Sequence, residues 1–279
     1  MSTAVAVFHG AFGRVCLYSM NRAMVPHGHR EGHLLFHIQG PAAALVVDGR
    51  AFPLSPGQAV AVSPWQMHYY TPVDGRAETL ALVLYIRPGW FVDAARRATA
   101  TLRFGRVGIE VTDPLARLVF SIAHDMLAED EADPRLEDRI CGLTQAAFDQ
   151  SWQWTERGAE FTGHALPLRD WRIRKALRVL QERIGESCEL DSVAREVGLS
   201  RPHFYKLFRA QMGITPNIYL NTLRMERAIV RLAESQAAVS EIGLDLGFSS
   251  QASFSRFFIA NGVVPPSAYR RSVHVWGLA

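Results

Sequence analysis

A repeat with a period of about fifty residues occupies the second half of the chain, and few folds can accommodate it. VAREVGLSRPHFYKLFRAQMGITPNIYL starts at Val193, and IGLDLGFSSQASFSRFFIANGVVPPSAYR starts at Ile242. Gly198 aligns with Gly247, Phe204 with Phe254, Phe208 with Phe258, Pro216 with Pro266 and Tyr219 with Tyr269. Each copy reads as a short helix, a glycine turn, a serine cap and a second helix, the parts of a helix-turn-helix. In the first copy Ser200 is the expected cap, and Phe204, Leu207 and Phe208 face inward. In the second, Ser249 or Ser250 caps a helix with Phe254, Phe257 and Phe258 inside.

What remains outside each second helix is polar. The first leaves Arg201, His203, Tyr205, Lys206 and Arg209; the second leaves Gln251, Ser253, Ser255 and Arg256. These side chains can reach base edges and phosphates in a major groove. Charge agrees with that reading. From Arg169 onward there are 16 Lys and Arg against 10 Asp and Glu, leaving 14 against 17 for the first 168 residues. The basic half favours a polyanionic partner, although a helical bundle with a duplicated hairpin and no nucleic acid fits the pattern too.

The second copy, GFSSQASFSRFFIANGVVPPSAYRR, with LRMERA between Leu223 and Ala228, resembles the signature of the AraC/XylS family of transcription regulators. The resemblance runs from Trp171 to Arg271. It implies a seven-helix domain in which one long connecting helix holds two recognition helices about one turn of DNA apart, roughly 34 Å. Carried over by position, it implies base contacts from Arg201, Pro202, Tyr205 and Lys206 and from Gln251, Ala252, Ser253 and Arg256, with Arg209 on the same exposed face. Two positions depart from the pattern. Ile259 stands where a basic residue is frequent, and Gly243 where a better helix former is usual.

The first half is built differently. Up to about Ile86, short β-type runs such as LLFHI, AALVVDG and TLALVLYI alternate with Pro and Gly, predicting a small antiparallel barrel or sandwich. Helical spacing follows: Leu115, Leu118, Val119, Ile122 and Met126, then Leu136, Ile140, Leu143, Ala147 and Phe148. The apolar stripe of this pair would either form a homodimer interface or pack on its own barrel. ERGAEFTGHALP has no period and predicts a linker. The expected organisation is α+β and multidomain: a β-barrel domain with two helices over 1–155, a linker over 156–168 separating two cores, and an all-α domain with two helix-turn-helix units over 169–279.

Histidines crowd the first half: His27, His29, His33 and His37 in PHGHREGHLLFHIQG, then His68 in SPWQMHYY. This segment resembles the cupin barrel, with His33 where that fold often has glutamate. The resemblance implies a candidate site of His27, His29, His33 and His68, suited to zinc, nickel, copper or iron. Polar pocket or surface histidines are the alternative, leaving no cofactor. A second expectation is an effector pocket lined by Phe36, Phe52, Trp65, Tyr69 and Tyr70, although aromatics on strands are frequently plain core.

Together these features predict a DNA-binding regulator, activating or repressing its target genes, whose barrel senses a small molecule or metal. Promoter DNA, the effector, a second copy of the chain and RNA polymerase are its expected partners. The competing reading is a metal-dependent cupin enzyme with an accessory nucleic-acid module, which the missing carboxylate at His33 weakens. No P-loop, dinucleotide fingerprint or Ser-His-Asp arrangement points to another enzyme class. The opening MSTAVAVFHG has no basic n-region, apolar runs are short, and Cys16, Cys141 and Cys188 form no CxxC pair, so a cytoplasmic protein is expected.

Overall fold

A computed structural model describes residues 2–94, 102–128, 135–152, 170–185, 189–262 and 264–275. The expected linker and Cys188 lie outside the described residues. Eight strands come first: β1 (Thr3–Gly10), β2 (Gly13–Met20), β3 (Gly32–Gln39), β4 (Ala43–Val47), β5 (Arg50–Leu54), β6 (Gln58–Val62), β7 (His68–Pro72) and β8 (Thr79–Ile86). Helix α1 (Pro88–Ala94), strand β9 (Gly108–Glu110), and helices α2 (Asp113–Leu127) and α3 (Leu136–Trp152) complete the first lobe. The second lobe runs α4 (Trp171–Glu182), α5 (Leu190–Glu196), α6 (Arg201–Met212), α7 (Pro216–Glu234), α8 (Val239–Asp245), α9 (Gln251–Gly262), α10 (Pro266–Arg271) and β10 (Val273–Val275).

The strands form two sheets and not a closed barrel. One is ordered β10-β1-β2-β8-β3-β6-β9, the other β5-β4-β7. Every pairing is antiparallel except β1 with β10. Because side chains alternate along a strand, the large sheet presents two separate apolar faces. Cys16, Tyr18, Leu35, Val60, Val62, Ala81 and Val83 point towards the small sheet's Leu45, Val47 and Tyr70. Val15, Leu17, Leu34, Phe36, Leu82 and Leu84 point the other way, under α2 and α3. With both faces covered, these strands read as almost continuous apolar runs.

The helical stripes of α2 and α3 are therefore buried against their own sheet. Leu115, Val119, Ile122 and Met126 join Ile140, Leu143, Ala147 and Phe148 in one cluster. Phe120 and Leu127 stay exposed on α2, at 52% and 55%.

One buried core is shared between the two halves, where the linker predicts two independent ones. Ala228, Ile229 and Leu232 of α7, with Ile242, Leu246, Phe254, Phe258, Val264 and Tyr269, belong to the same buried cluster as the sandwich interior. Among the described residues, the first helix-turn-helix has a cluster of its own, around Phe204, Phe208, Val193 and Leu220, and Trp65 and Met67 pack onto it. At the far edge β10 joins β1 in register Val7 with Val273, Phe8 with His274 and His9 with Val275. Val7 donates its N–H to the Ser272 carbonyl (2.8 Å), and the Ser272 hydroxyl donates to the Ala4 carbonyl (2.7 Å).

Candidate nucleic-acid interface and histidine cluster

The two repeat copies fold alike. Gly198 and Gly247 take the left-handed turn (φ 72° and 80°) that bulkier residues rarely adopt. The caps differ. Ser200 sits at the start of α6 in extended backbone but makes no side-chain capping bond, and Pro202 in the first turn removes one orphan donor. In the second copy the cap is Ser250, whose hydroxyl accepts from the Ser253 N–H at 3.2 Å.

On α6, Phe204 and Phe208 are buried, while Arg201, Pro202, His203, Lys206 and Arg209 are exposed and Tyr205 is half-buried. Leu207, expected inside, is also half-buried. Arg201 donates to Asp191 at 3.2 Å and lies over the Tyr205 ring. On α9, Phe254 and Phe258 are buried, Gln251, Ala252 and Arg256 are exposed, and Ser253, Ser255 and Phe257 are half-buried. Both outer faces are thus open. They hang on α7, the connecting helix, which Thr215 caps by accepting from the Ile218 N–H (3.3 Å) and which Arg231 ties to Asp245 of α8 (3.0 Å).

Gly243 has a geometric explanation. A Cβ there would lie 2.8 Å from the Phe254 Cβ, closer than side chains tolerate. Helices α8 and α9 cross so tightly that the usual helix former does not fit.

The histidines converge. One ring nitrogen each of His27, His29 and His68 lies within 4.8 Å of the others. Mutual backbone bonds between His27 and His68 (3.0 and 2.9 Å) join the segment before β3 to β7. His33 reaches the same place from β3, its Nδ1 3.2 Å from His68 Nε2, with its ring stacked on Tyr85. His37, two turns of the pleat further on, leaves the group and bonds the Gly40 carbonyl.

Each of the three rings directs Nδ1 at a nearby backbone carbonyl: His27 at Val25 (2.8 Å), His29 at Glu31 (3.0 Å) and His68 at Gln66 (2.8 Å). A carbonyl only accepts, so Nδ1 carries the proton and Nε2 keeps its lone pair. Burial first, and then neighbouring imidazoles, hold His29 and His33 well below the ordinary histidine range, and burial takes His68 down to about 3. Burial likewise lowers His27. The cluster is therefore neutral at physiological pH, as a metal-binding imidazole must be. His29 Nε2 and His33 Nε2 are buried without a hydrogen-bond partner. Imidazoles whose second nitrogen donates to a carbonyl are the usual support for a bound transition metal, so this donor set fits one.

The five aromatic residues expected to line one pocket are dispersed. Phe36 lies on the face covered by α2 and α3. Tyr69 and Tyr70 alternate to opposite faces of β7, and Tyr70 is buried and donates to the Met20 carbonyl (3.3 Å). Phe52 is only partly buried against the core that Tyr70 fills, and Trp65 leaves the sandwich to stack on Tyr219 of α7 (5.4 Å). A period of two separates residues that composition alone groups together.

A cavity of a different lining sits between the lobes. Tyr18, His27, His29, Glu31 and Tyr85 face Thr222, Met225, Glu226 and Tyr269 across it. Arg14, also in its wall, donates to both oxygens of Glu31 (2.9 and 3.1 Å) and packs on the Tyr85 ring. Glu226 has one buried oxygen without a partner, and burial pushes its carboxyl up to about 7. No sequence signal marks this space, because half of its wall comes from each lobe.

Two family models match separate parts of the chain. An "AraC-like ligand binding domain" matches residues 13–138 and a "Helix-turn-helix domain" matches 193–272. The regulatory protein PocR of Salmonella typhimurium is 34% identical over 105 residues, 38% of this chain and 35% of that protein. The Tn10 TetD protein of Escherichia coli is 34% identical over 106 residues, 38% of this chain and 76% of TetD. LumQ of Photobacterium leiognathi, a probable transcriptional regulator, is 27% identical over 253 residues, 90% of this chain and 94% of LumQ. The chain spans little more than a third of the length of the first relatives it matches. Among solved structures, apo ToxT from Vibrio cholerae covers 95% of this chain and 98% of its own, with a TM-score of 0.58 at 13% identity. Among the described residues no helix is long and apolar enough to cross a membrane.

Proposed function

This chain belongs to the AraC family of transcription regulators, and from that premise we propose that it is a one-component regulator: the second lobe binds promoter DNA and the first senses an effector. The observation that carries the reading is the pair of open polar helix faces, on α6 and α9, mounted on the single helix α7. One rigid connector lets two recognition helices enter successive major grooves. Arg201, Pro202, Tyr205, Lys206 and Arg209 would face one groove, and Gln251, Ala252, Ser253 and Arg256 the other. Helix-turn-helix relatives named as regulators support this over a cupin enzyme, and Glu31, a carboxylate beside His29, is already engaged by Arg14.

Gel shift on genomic fragments tests it. Particular fragments are retained with an affinity that falls steeply as salt rises, and Arg256→Ala weakens the specific complex by about 1–3 kcal/mol. Binding of all fragments alike, unmoved by the substitution, would remove the recognition role of α9.

For the effector, the first lobe offers two adjoining features, the histidine cluster and the cavity between the lobes. We take His27, His29 and His68 as ligands of a divalent transition metal, with His33, whose Nδ1 lies 3.2 Å from His68 Nε2, as the fourth. A bound metal would supply a fixed charge and a Lewis-acidic point at the cavity wall. Metal analysis of the purified chain, with His68→Ala as control, checks this. A homodimer would use the outer face of α2, where Phe120 and Leu127 remain exposed, and light scattering of Phe120→Ser against the parent chain reads it out. A cytoplasmic location and contact with RNA polymerase complete the proposal.

A further inference from the structure

Residues 25–30 carry two of the three clustered histidines, and they are held from both sides. The first lobe holds them through the backbone: His27 pairs with His68, and the His29 carbonyl accepts from the Trp65 N–H at 2.7 Å. The second lobe holds the residues in between. The Gly28 carbonyl accepts from the Thr222 hydroxyl of α7 (2.5 Å), Arg30 meets Glu226 of the same helix (3.4 Å), and the Val25 N–H donates to the Ala260 carbonyl of α9 (3.2 Å). One short segment thus touches the histidine cluster, the connecting helix and the second recognition helix.

We propose that a transition metal at His27, His29 and His68 is sensed by the DNA-binding lobe through residues 25–30, because the docked lobes bind the metal more tightly than the lobes apart. The inference rests on the metal reading of the cluster. With the lobes docked, Gly28 and Arg30 are clamped to α7, and the two imidazoles flanking Gly28 already stand within reach of His68. Undocking frees the segment on one side, so two of the ligands must be ordered again at the moment of binding. Pre-organisation of that kind adds affinity without adding a contact. Reciprocity then requires the metal to favour docking by the same factor, which makes α7 and α9 the elements whose freedom it controls.

Thr222 is not a ligand, and Thr222→Val keeps its shape while deleting the bond to Gly28. The full chain is titrated with cobalt(II), read by its visible absorption, and with zinc(II) in competition with a chromophoric chelator. Three variants accompany it: Thr222→Val, a truncation after Arg271 that removes β10 far from the cluster, and His68→Ala. The expected result is one metal per parent chain, abolition in His68→Ala, and affinity lowered about fivefold or more in Thr222→Val and in the truncation. Zinc should also slow amide exchange in residues 216–234 of the parent chain. Equal metal affinity in the parent, Thr222→Val and the truncation would overturn the coupling and leave the metal site standing. Failure of the parent chain to bind either metal would overturn both. If Thr222→Val does not fold, the truncation and the exchange measurement decide alone.

Discussion

Gly243 shows how one residue can argue against a fold in sequence and for it in three dimensions. By helix propensity, Gly243→Ala would gain about 1 kcal/mol. The Cβ it adds would strike Phe254, a side chain fully buried at the α8–α9 crossing, and overpacking of that kind costs about 1–3 kcal/mol. Urea denaturation of Gly243→Ala should therefore show lost stability; a gain would mean that α8 can slide away from α9. His9 makes a second residue-scale case. It bonds the Tyr269 hydroxyl across the lobes (2.8 Å), and burial, with Arg14 and Arg87 nearby, lowers it to about 3. Freed from the fold it takes a proton near 6.5, so its contribution is complete above that value and is lost as pH falls from about 6.5 towards 3. Melting temperature measured from pH 7 to 4 should drop less in His9→Gln than in the parent chain. The histidine cluster was legible as a set of residues from the spacing of His27, His29, His33 and His68. Its protonation was not, because the carbonyls of Val25, Glu31 and Gln66 that position the rings have no signature in sequence.

Elements defined by local periodicity were the readable ones. The stripes of α2 and α3, the glycine turns at Gly198 and Gly247 and the inward phenylalanines of α6 and α9 all follow from spacings of a few residues. The sandwich was readable as strands and turns but not as two sheets, since register depends on partners far along the chain. For the same reason the aromatic residues Phe36, Trp65 and Tyr70 could be named but not brought to a common site. Strand β10 was invisible: three residues carry no period, and its pairing with β1 spans nearly the whole chain. Its role is open to measurement. Truncation after Arg271 removes the Ser272 carbonyl that the Val7 N–H donates to, and amide exchange at Val7 should accelerate by more than tenfold while that at Leu84, in the sheet centre, stays within a factor of about two. Equal acceleration at both would mean that β10 supports the whole sheet and not its edge.

For the whole molecule, the shared core predicts cooperative unfolding. Calorimetry of the full chain should give one transition, because separating the lobes exposes Ile229, Leu232, Phe254 and Phe258 together with the sandwich residues they cover. Two resolved transitions would show that each lobe holds its own. The fragment beginning at Arg169 should accordingly melt lower than the intact chain. Assembly on the ribosome inherits a further problem from the same architecture. Val273, the partner of Val7, lies 266 residues further along the chain and is translated that much later. At about 5–20 residues per second that delay lasts tens of seconds. Throughout it, the nascent chain offers a bare strand edge to its neighbours on the same messenger, and crowded polysomes become the setting in which this protein is most prone to cross-pair.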